Sequence, residues 1–594
     1  MTTTQTTLAG DVAKALSNDP TQGAFKLVQD LKLSLDRDGS DLSSTITVLD
    51  KLAVTLRDVN AITKPSDEVL RQAARVVANL VIDCDENRQI IVDFEYLSVI
   101  CGIPALAQSP TDAYAPAIIA IVASLHNLSV EKHGEWYAVE RANELDSVVS
   151  YLRQDLYLRT IIHITKQWTE DFYSPSPHDE TSTIVRWSWS ILSILLEKPP
   201  PSINNTIFDA LLTPFSSSSD DYDTHLHILT SACASIEACL TPETPLRQQV
   251  LPYLTLLTEF VEKADIPEDQ EDTNEIEDQE GEEGEGEEEG EEADDGADYD
   301  KTLGSAKAAI VRTLVSLSSD IPPSSSFWQR IRIWLERKDR PDLLNCALLS
   351  FGNSIIDGKF SFGKILAYSS DSSAKSLLNG ETSLLPNILP LLDPSTQATT
   401  QHSVIGLIKN LSIPTENKAV LGEAGVIERL AGMNIWSQER DLLGSVQGGA
   451  AGILKNLCRN NAENSHRFLL QPLDPLLDLI KRADDPPLRF ECTRIFVNVI
   501  KSLASAKQPL SSSTISNSRV IESIVKMLVE GSRYPILQSE AVIALTLLAT
   551  FGSSETKSQV NSTLSGPGLD IVRGMSQDGR KEIRENANTL LNVI

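Results

Sequence analysis

A chain of 594 residues is too long for one ordinary hydrophobic core unless it grows by repeating a structural unit. Its net charge is −32, and residues 268–300 hold 20 carboxylates without a Lys or Arg. This balance disfavours nucleic acid as a partner, because phosphate binding needs a basic footprint, and it favours a basic partner.

The cysteine spacing and the lack of recognisable targeting or membrane segments disfavour several classes of protein. The seven cysteines are scattered without a CxxC pair, which disfavours a disulfide framework or a metal site and predicts no cofactor. We recognise no signal peptide or prenylation box, and no apolar run is long enough to span a membrane. We therefore expect a cytoplasmic protein. Peripheral association with the ER or other membranes, or a mitochondrial or nuclear pool, is left open.

In chain order, residues 1–20 are polar and predict a flexible N-terminus. Residues 21–262 follow a helical pattern and predict N-terminal armadillo-like repeats, although the repeat phrase fades after about residue 165. Residues 263–301 are rich in Glu and Gly and predict a disordered acidic loop. Residues 302–594 predict a second set of armadillo repeats.

The repeat phrase is a helical run that ends in Asn-Leu, passes through a turn and restarts at Glu-Asn. Asn79 and Asn127 lie 48 residues apart, Asn410 and Asn456 lie 46 apart, and Asn498 follows 42 later. Helical units with a period in the forties are typical of armadillo and HEAT arrays. With no alternating strand pattern, the sequence predicts an all-α, right-handed superhelical repeat solenoid.

The asparagines that end the last helix of each unit are the candidate partner-binding residues. An amide can pair with the backbone of an extended ligand, and a row at one-repeat spacing would lie on one concave face. The alternative is that each amide caps its helix or bonds the adjacent loop. The Glu-Asn restart predicts that Asn87, Asn417 and Asn464 are helix N-caps. The candidates for the concave face are Asn79, Asn127, Asn353, Asn410, Asn456 and Asn498.

Three further motifs have structural interpretations that we favour over functional ones. His225-x-His227 lacks a third metal ligand at a suitable spacing, apart from the cluster of Asp220, Asp221 and Asp223. The glycine-rich stretch 444–456 lacks the Gly-Lys-Ser/Thr of a phosphate loop and predicts close helix packing. Trp187 and Trp189 lie on an apolar helix and predict core or seam positions.

The stretch 410–430, NLSIPTENKAVLGEAGVIERL, resembles the small-GTPase GDP-dissociation stimulator family of the smg-GDS type. The family pattern N-L-x-I-P-x-x-N-K-x-x-x-x-x-A-G-V is matched by Asn410, Leu411, Ile413, Pro414, Asn417, Lys418, Ala424, Gly425 and Val426. The resemblance extends over about 340–594, is weaker over 21–165, and does not include the acidic insert. It implies an armadillo protein that binds Rho- and Ras-type GTPases with a polybasic, prenylated C-terminus. It also implies non-catalytic stimulation of GDP release and chaperoning of the lipidated GTPase.

Two alternatives remain open at this point. One is an armadillo adaptor for basic peptides, which would pair the asparagine row with Trp residues one helical turn away. Asn410 and Asn456 have no such Trp, and the nearest, Trp436, lies between repeats. The other is a passive assembly scaffold. In each case the sequence predicts a monomer.

Overall fold

The computed structural model describes residues 155–177, 181–200, 206–216, 222–242, 244–264, 295–322, 324–356, 384–510 and 514–594, with a few isolated positions before them. Within these ranges every regular element is helical and no strand occurs. The chain divides into two compact units, Met1–Thr313 and Leu314–Ile594. The all-α fold class is therefore confirmed.

The described helices of the first unit pack through apolar faces. In α2 the buried side chains include Ile184, Val185 and Trp189, which recur at helical spacing. The Trp189 indole donates to Thr169 Oγ1 at 2.9 Å, so its polar group is satisfied inside the core. The helices are α1 (Asp155–Phe172), α2 (Thr181–Leu196), α3 (Thr206–Leu211), α4 (Tyr222–Cys239), α5 (Leu246–Val250), α6 (Leu254–Lys263) and α7 (Asp295–Leu317), whose last residues begin the second unit.

The second unit is a stack of helical repeats. Its helices are α8 (Phe327–Trp334), α9 (Pro341–Ile356), α10 (Leu385–Ile388), α11 (Ala398–Leu411), α12 (Thr415–Glu423), α13 (Val426–Gly432), α14 (Gly444–Cys458), α15 (Ala462–Leu469), α16 (Asp474–Arg482), α17 (Pro486–Ser505), α18 (Ser518–Glu530), α19 (Pro535–Phe551), α20 (Ser554–Leu564), α21 (Pro567–Met575) and α22 (Lys581–Val593).

These helices form a recurring unit of two short helices followed by a longer one. The pattern is complete in α12–α14, α15–α17 and α20–α22, while α18 and α19 supply the last two helices of another unit. The long helices α9, α11, α14, α17, α19 and α22 pack against one another in succession. The long helices between the two ends bury aliphatic side chains against both neighbours, so the core grows with each added repeat, as in an armadillo array.

Glycines let α14 approach α11 closely. A Cβ added at Gly449 would lie 2.5 Å from Ile405 Cγ2, and one added at Gly452 would lie 3.0 Å from Lys409 Cε. The rest of α14 buries larger residues such as Ile453 and Leu454. The glycine-rich stretch is therefore a helix-packing surface, as the sequence predicted.

The boundary of the acidic insert differs from the prediction. Helix α6 ends at Lys263, close to the expected start of the loop, but α7 begins at Asp295, before its expected end at residue 301. Carboxylates in the first turn favour a helix N-terminus, because they face the positive end of the helix dipole. Residues 265–294, like the candidates Asn79 and Asn127 and the predicted cap Asn87, lie outside the described residues. None of the described helices is long and apolar enough to cross a bilayer.

Candidate partner-binding face

The asparagine row, Asn353, Asn410, Asn456 and Asn498, joins each long helix to the one before it. Asn410 Nδ2 donates to Gly352 O at 3.1 Å, and Asn498 Nδ2 donates to Lys455 O at 2.9 Å. Asn456 Nδ2 donates to Lys409 O at 3.4 Å and to Ser412 Oγ at 3.0 Å. Each of these amides therefore binds the carbonyl of the residue that precedes the asparagine of the previous repeat.

The same pattern begins at α7, where Asn353 Nδ2 donates to Val315 O at 3.1 Å. In the part of the chain that the structure describes, the Oδ1 atoms of the row accept no hydrogen bond. Asn353, Asn410 and Asn456 are partly exposed, whereas Asn498 is only 8% exposed. The row thus supplies inter-repeat ties through its donors and leaves its acceptors uncommitted. From the sequence we had considered that these amides cap their helices or bond the adjacent loop. Neither alternative anticipated a bond from each amide to the preceding long helix.

The prediction that Asn417 and Asn464 are N-caps is wrong. The N-cap positions belong to Pro414 and Asn461, and the Asn461 side chain accepts from Asn464 N. Asn417 and Asn464 lie in the first turn and donate backwards, to Leu411 O at 2.9 Å and to Leu457 O at 3.2 Å. They therefore satisfy carbonyls at the end of the preceding long helix rather than amides at the start of their own.

Asn464 also links two repeats through a buried polar junction. Its Nδ2 donates to Lys418 O at 2.8 Å, while Lys418 Nζ donates to Arg459 O at 3.0 Å. Asn464 lies directly over Gly422, where a Cβ would collide with its side chain. Burial lowers the pKa of Lys418, and the nearby charge of Arg459 lowers it further. Asn417 and Lys418 of the family pattern therefore have structural partners.

Beside the asparagine row, a chain of alternating charges crosses three helices. Lys455 Nζ lies 2.5 Å from Glu491 Oε2, Arg494 lies 2.9 Å from Glu491 Oε1, and Arg494 lies 2.8 Å from Glu540 Oε2. Burial would raise the pKa of Glu491, but the hydrogen bonds and charges of Lys455 and Arg494 outweigh it and lower that pKa. The centre of the face is therefore electrically compensated rather than acidic.

The sequence analysis missed these pairs, although their spacing is a usable signal. Arg494 and Glu540 are 46 residues apart, which is close to one repeat. A second set joins opposite charges 41 residues apart. It comprises Arg482 with Asp441, Arg489 with Glu530, and Arg519 with Asp478. Opposite charges one repeat apart would have indicated contacts between neighbouring repeats.

The two units differ in charge. Residues 314–594 carry 29 Lys and Arg against 27 Asp and Glu, a net charge of +2, whereas residues 1–313 carry −34. The acidity expected to attract a basic partner is thus confined to the first part of the chain. The asparagine row therefore belongs to a unit that is nearly neutral.

In the first unit, α2 and α4 line a pocket of about 270 Å³ formed by Thr183, Arg186, Trp187, Ser190 and His227. Trp189, by contrast, is fully buried, in agreement with a core position, whereas Trp187 is partly exposed at the edge of the pocket. His227 Nε2 contacts Arg186 O at 3.2 Å, and burial lowers its pKa, with the charge of Arg186 acting in the same direction.

His225 turns to another partner, since its Nδ1 lies 2.8 Å from Tyr173 Oη. Within the ranges described above, no three His, Cys, Asp or Glu side chains are placed to share a metal ion. Burial raises the pKa of several thiols to about 12, so they are protonated at neutral pH. These thiols belong to Cys239, Cys346, Cys458 and Cys492.

Comparison with known proteins agrees with the resemblance of the repeat motif. No family model matches the chain. Over 218 residues the chain is 25% identical to Rap1 GTPase-GDP dissociation stimulator 1-A of Xenopus laevis. The match covers 36% of this chain and 34% of that relative, so the chain aligns with about a third of the relative's length.

Solved structures similar to the chain include armadillo proteins. A designed armadillo repeat protein in complex with the peptide (KR)4 is 18% identical, with a TM-score of 0.33 over 45% of this chain and 99% of that one. A structure from a study of the phosphorylation switch between cadherin and β-catenin is 14% identical, with a TM-score of 0.47 over 98% of each chain.

Proposed function

We propose that this protein is a non-catalytic regulator of small GTPases of the Rho or Ras type. It binds the GTPase, stimulates GDP release and chaperones its prenylated C-terminus, acting as a cytoplasmic monomer. The observation that carries the proposal is the motif at 410–430, together with the similarity to a GDP dissociation stimulator. The motif's Asn410 belongs to the asparagine row of the second unit.

Exchange follows from linkage between two binding equilibria. A protein that binds the nucleotide-free GTPase more tightly than the loaded form must weaken nucleotide affinity by the same factor. This mechanism needs a rigid face that holds the GTPase in its open form, and it needs no general acid or nucleophile. The inter-repeat bonds of the asparagine row and the Lys455–Glu491–Arg494–Glu540 chain supply such rigidity across neighbouring helices.

The uncommitted acceptors of the row define what the face can recognise. Since the Nδ2 groups of Asn410 and Asn456 bind the preceding helix, their Oδ1 atoms are left to accept N–H groups of a partner. We assign this role to the partly exposed Asn353, Asn410 and Asn456. Asn498, which is nearly covered, acts mainly as an inter-repeat tie.

The polybasic tail of the GTPase is attracted to the acidic first part of the chain. Residues 1–313 carry a charge of −34, including the 20 carboxylates of 268–300. A dense field of one sign raises the local concentration of an oppositely charged segment and accelerates its association. Tail capture and nucleotide release are therefore assigned to different parts of the molecule.

The test is GDP release from a panel of purified Rho- and Ras-type GTPases loaded with a fluorescent GDP analogue. The full chain should accelerate release from at least one GTPase with a basic tail, and pull-downs should retain more nucleotide-free than GTP-loaded GTPase. Equal binding of all nucleotide states without faster release would indicate a scaffold. Binding of a free Lys/Arg peptide as tightly as the intact GTPase would indicate a basic-peptide adaptor.

A further inference from the structure

Three cations lie at the C-terminal ends of consecutive long helices in the second unit, and we call them the basic rim. They are Lys409 on α11, Arg459 just after α14, and Lys501 on α17. Lys409 runs along α14, since its Cε lies 3.0 Å from the position of a Cβ on Gly452. Helix α17 reaches the same end of α14, because Ser502 Oγ donates to Cys458 O at 2.6 Å.

Within the part of the chain that the structure describes, the rim's charges have no ion-pair partner. None of the three side chains forms an ion pair or a side-chain hydrogen bond with any described residue. Lys409 and Arg459 are exposed, and Lys501 is partly exposed. Glu491 on α17 and Glu540 on α19 are already held by Lys455 and Arg494. The rim therefore places three cations without ion-pair partners among the described residues beside a chain of charges that compensate one another.

This distribution opposes the simplest electrostatic model, in which the repeat face itself binds a polybasic tail. A basic segment on α11, α14 and α17 would meet like charges, which oppose docking and suppress wrong registers. The second unit, with a net charge of +2, offers no acidic field to offset them.

We infer that the basic rim binds a carboxylate-rich patch on the folded body of the GTPase. This inference rests on the proposed function and deepens it. The GTPase then meets the protein in two places of opposite sign: its basic tail is drawn to residues 1–313, and its acidic patch docks on the rim beside Asn410 and Asn456. A partner with only one of the two charged features would bind weakly, so the arrangement sets specificity.

The deciding experiment reverses the rim charges in the full chain with the triple variant Lys409→Glu, Arg459→Glu and Lys501→Glu. A matched control, Lys481→Glu, Arg533→Glu and Lys557→Glu, makes the same change in net charge at positions on α16, after α18 and on α20. These control side chains also lack ion-pair partners among the described residues. Both variants should keep the wild-type circular dichroism and melting temperature. Should the triple reversal unfold, the neutral variant Lys409→Met, Arg459→Met and Lys501→Met replaces it.

Association rates are measured with the responsive GTPase, intact and without its basic tail, at low and high salt. The rim variant should associate about tenfold more slowly with the tail-less GTPase at low salt, with the difference largely lost at high salt. The control should stay close to wild type. Faster association of the rim variant with the intact GTPase would mean that the basic tail docks on the rim, and would overturn the inference. Rates equal to those of the control would overturn it as well.

A second arm separates the rim from the proposed function. If wild-type protein binds no GTPase, the proposed function fails, and a synthetic Glu-rich peptide then tests the rim alone. If the wild type and the control bind the peptide but the rim variant does not, the result supports an acidic protein ligand. If the wild type does not bind the peptide, the inference is overturned. Loss of binding to phosphatidylserine vesicles, with GTPase and peptide binding unchanged, would assign the rim to a lipid surface and overturn the inference.

Discussion

Removing the amides of the asparagine row should weaken the stack of repeats. In the variant Asn410→Ala, Asn456→Ala and Asn498→Ala, four inter-repeat bonds are lost, with donor–acceptor distances between 2.9 and 3.4 Å. A net contribution of about 1 kcal/mol per bond gives a loss of about 4 kcal/mol in the free energy of unfolding. Because a unit of this size changes its melting temperature by about 2 °C per kcal/mol, we expect a decrease of about 8 °C.

Urea unfolding followed by circular dichroism measures this loss, and Asn588→Ala is the control because Asn588 is exposed on α22. A triple variant that unfolds within about 0.5 kcal/mol of the control would refute the inter-repeat role of the amides. Replacing Asn456 by Asp provides a second check. It keeps the shape and the acceptor but sets a carboxylate against the Lys409 carbonyl, so it should destabilise more than Ala does. If Asp proves milder than Ala, the donated bond is not the stabilising contact.

Further predictions follow from α14 and the charge chain. Gly449→Ala should destabilise the protein by about 1–3 kcal/mol, because its Cβ would meet Ile405 Cγ2 at 2.5 Å. The adjacent Gly448→Ala meets only ordinary contact at 3.8 Å and should be neutral or stabilising by up to about 1 kcal/mol; thermal melts compare the two. Glu491→Gln should cost about 1–2 kcal/mol at pH 7, measured by urea unfolding, since two cations lose their shared counter-charge. The pKa of Glu491 is lowered by folding, so its stabilisation is present above its ordinary value of 4.5 and disappears as pH falls through the lower folded value. Wild-type stability should therefore fall more steeply with acid than that of Glu491→Gln.

The two units of the chain differ in the sign of the charge that they attract. Total charge and the acidic run predict attraction to a basic partner, and that expectation attaches to residues 1–313. Only the placement of Lys409, Arg459 and Lys501 on adjacent helices revealed a positive feature within a strongly acidic protein. Net charge averages over the whole chain, whereas a docking surface depends on charges within about a Debye length of each other.

The sequence by itself determined the repeat architecture of the second unit. Apolar residues at helical spacing define helices that cannot bury their faces alone, and recurrence at about 45 residues means that neighbours bury them for each other. The same phase identified Asn353, Asn410, Asn456 and Asn498 as equivalent positions, and the glycine-rich stretch as a helix-packing surface.

Tertiary structure alone decided what these residues bind. The bonds of the asparagine row span 38, 58, 47 and 43 residues, because the segments between long helices differ in length. The sequence therefore gives the phase of each asparagine but not the carbonyl opposite it. The same limit explains the error at Asn417 and Asn464, since a first-turn amide can bond forward to its own helix or back to the previous one. The choice depends on how the helices cross, and the packing of side chains far apart in the chain sets that crossing.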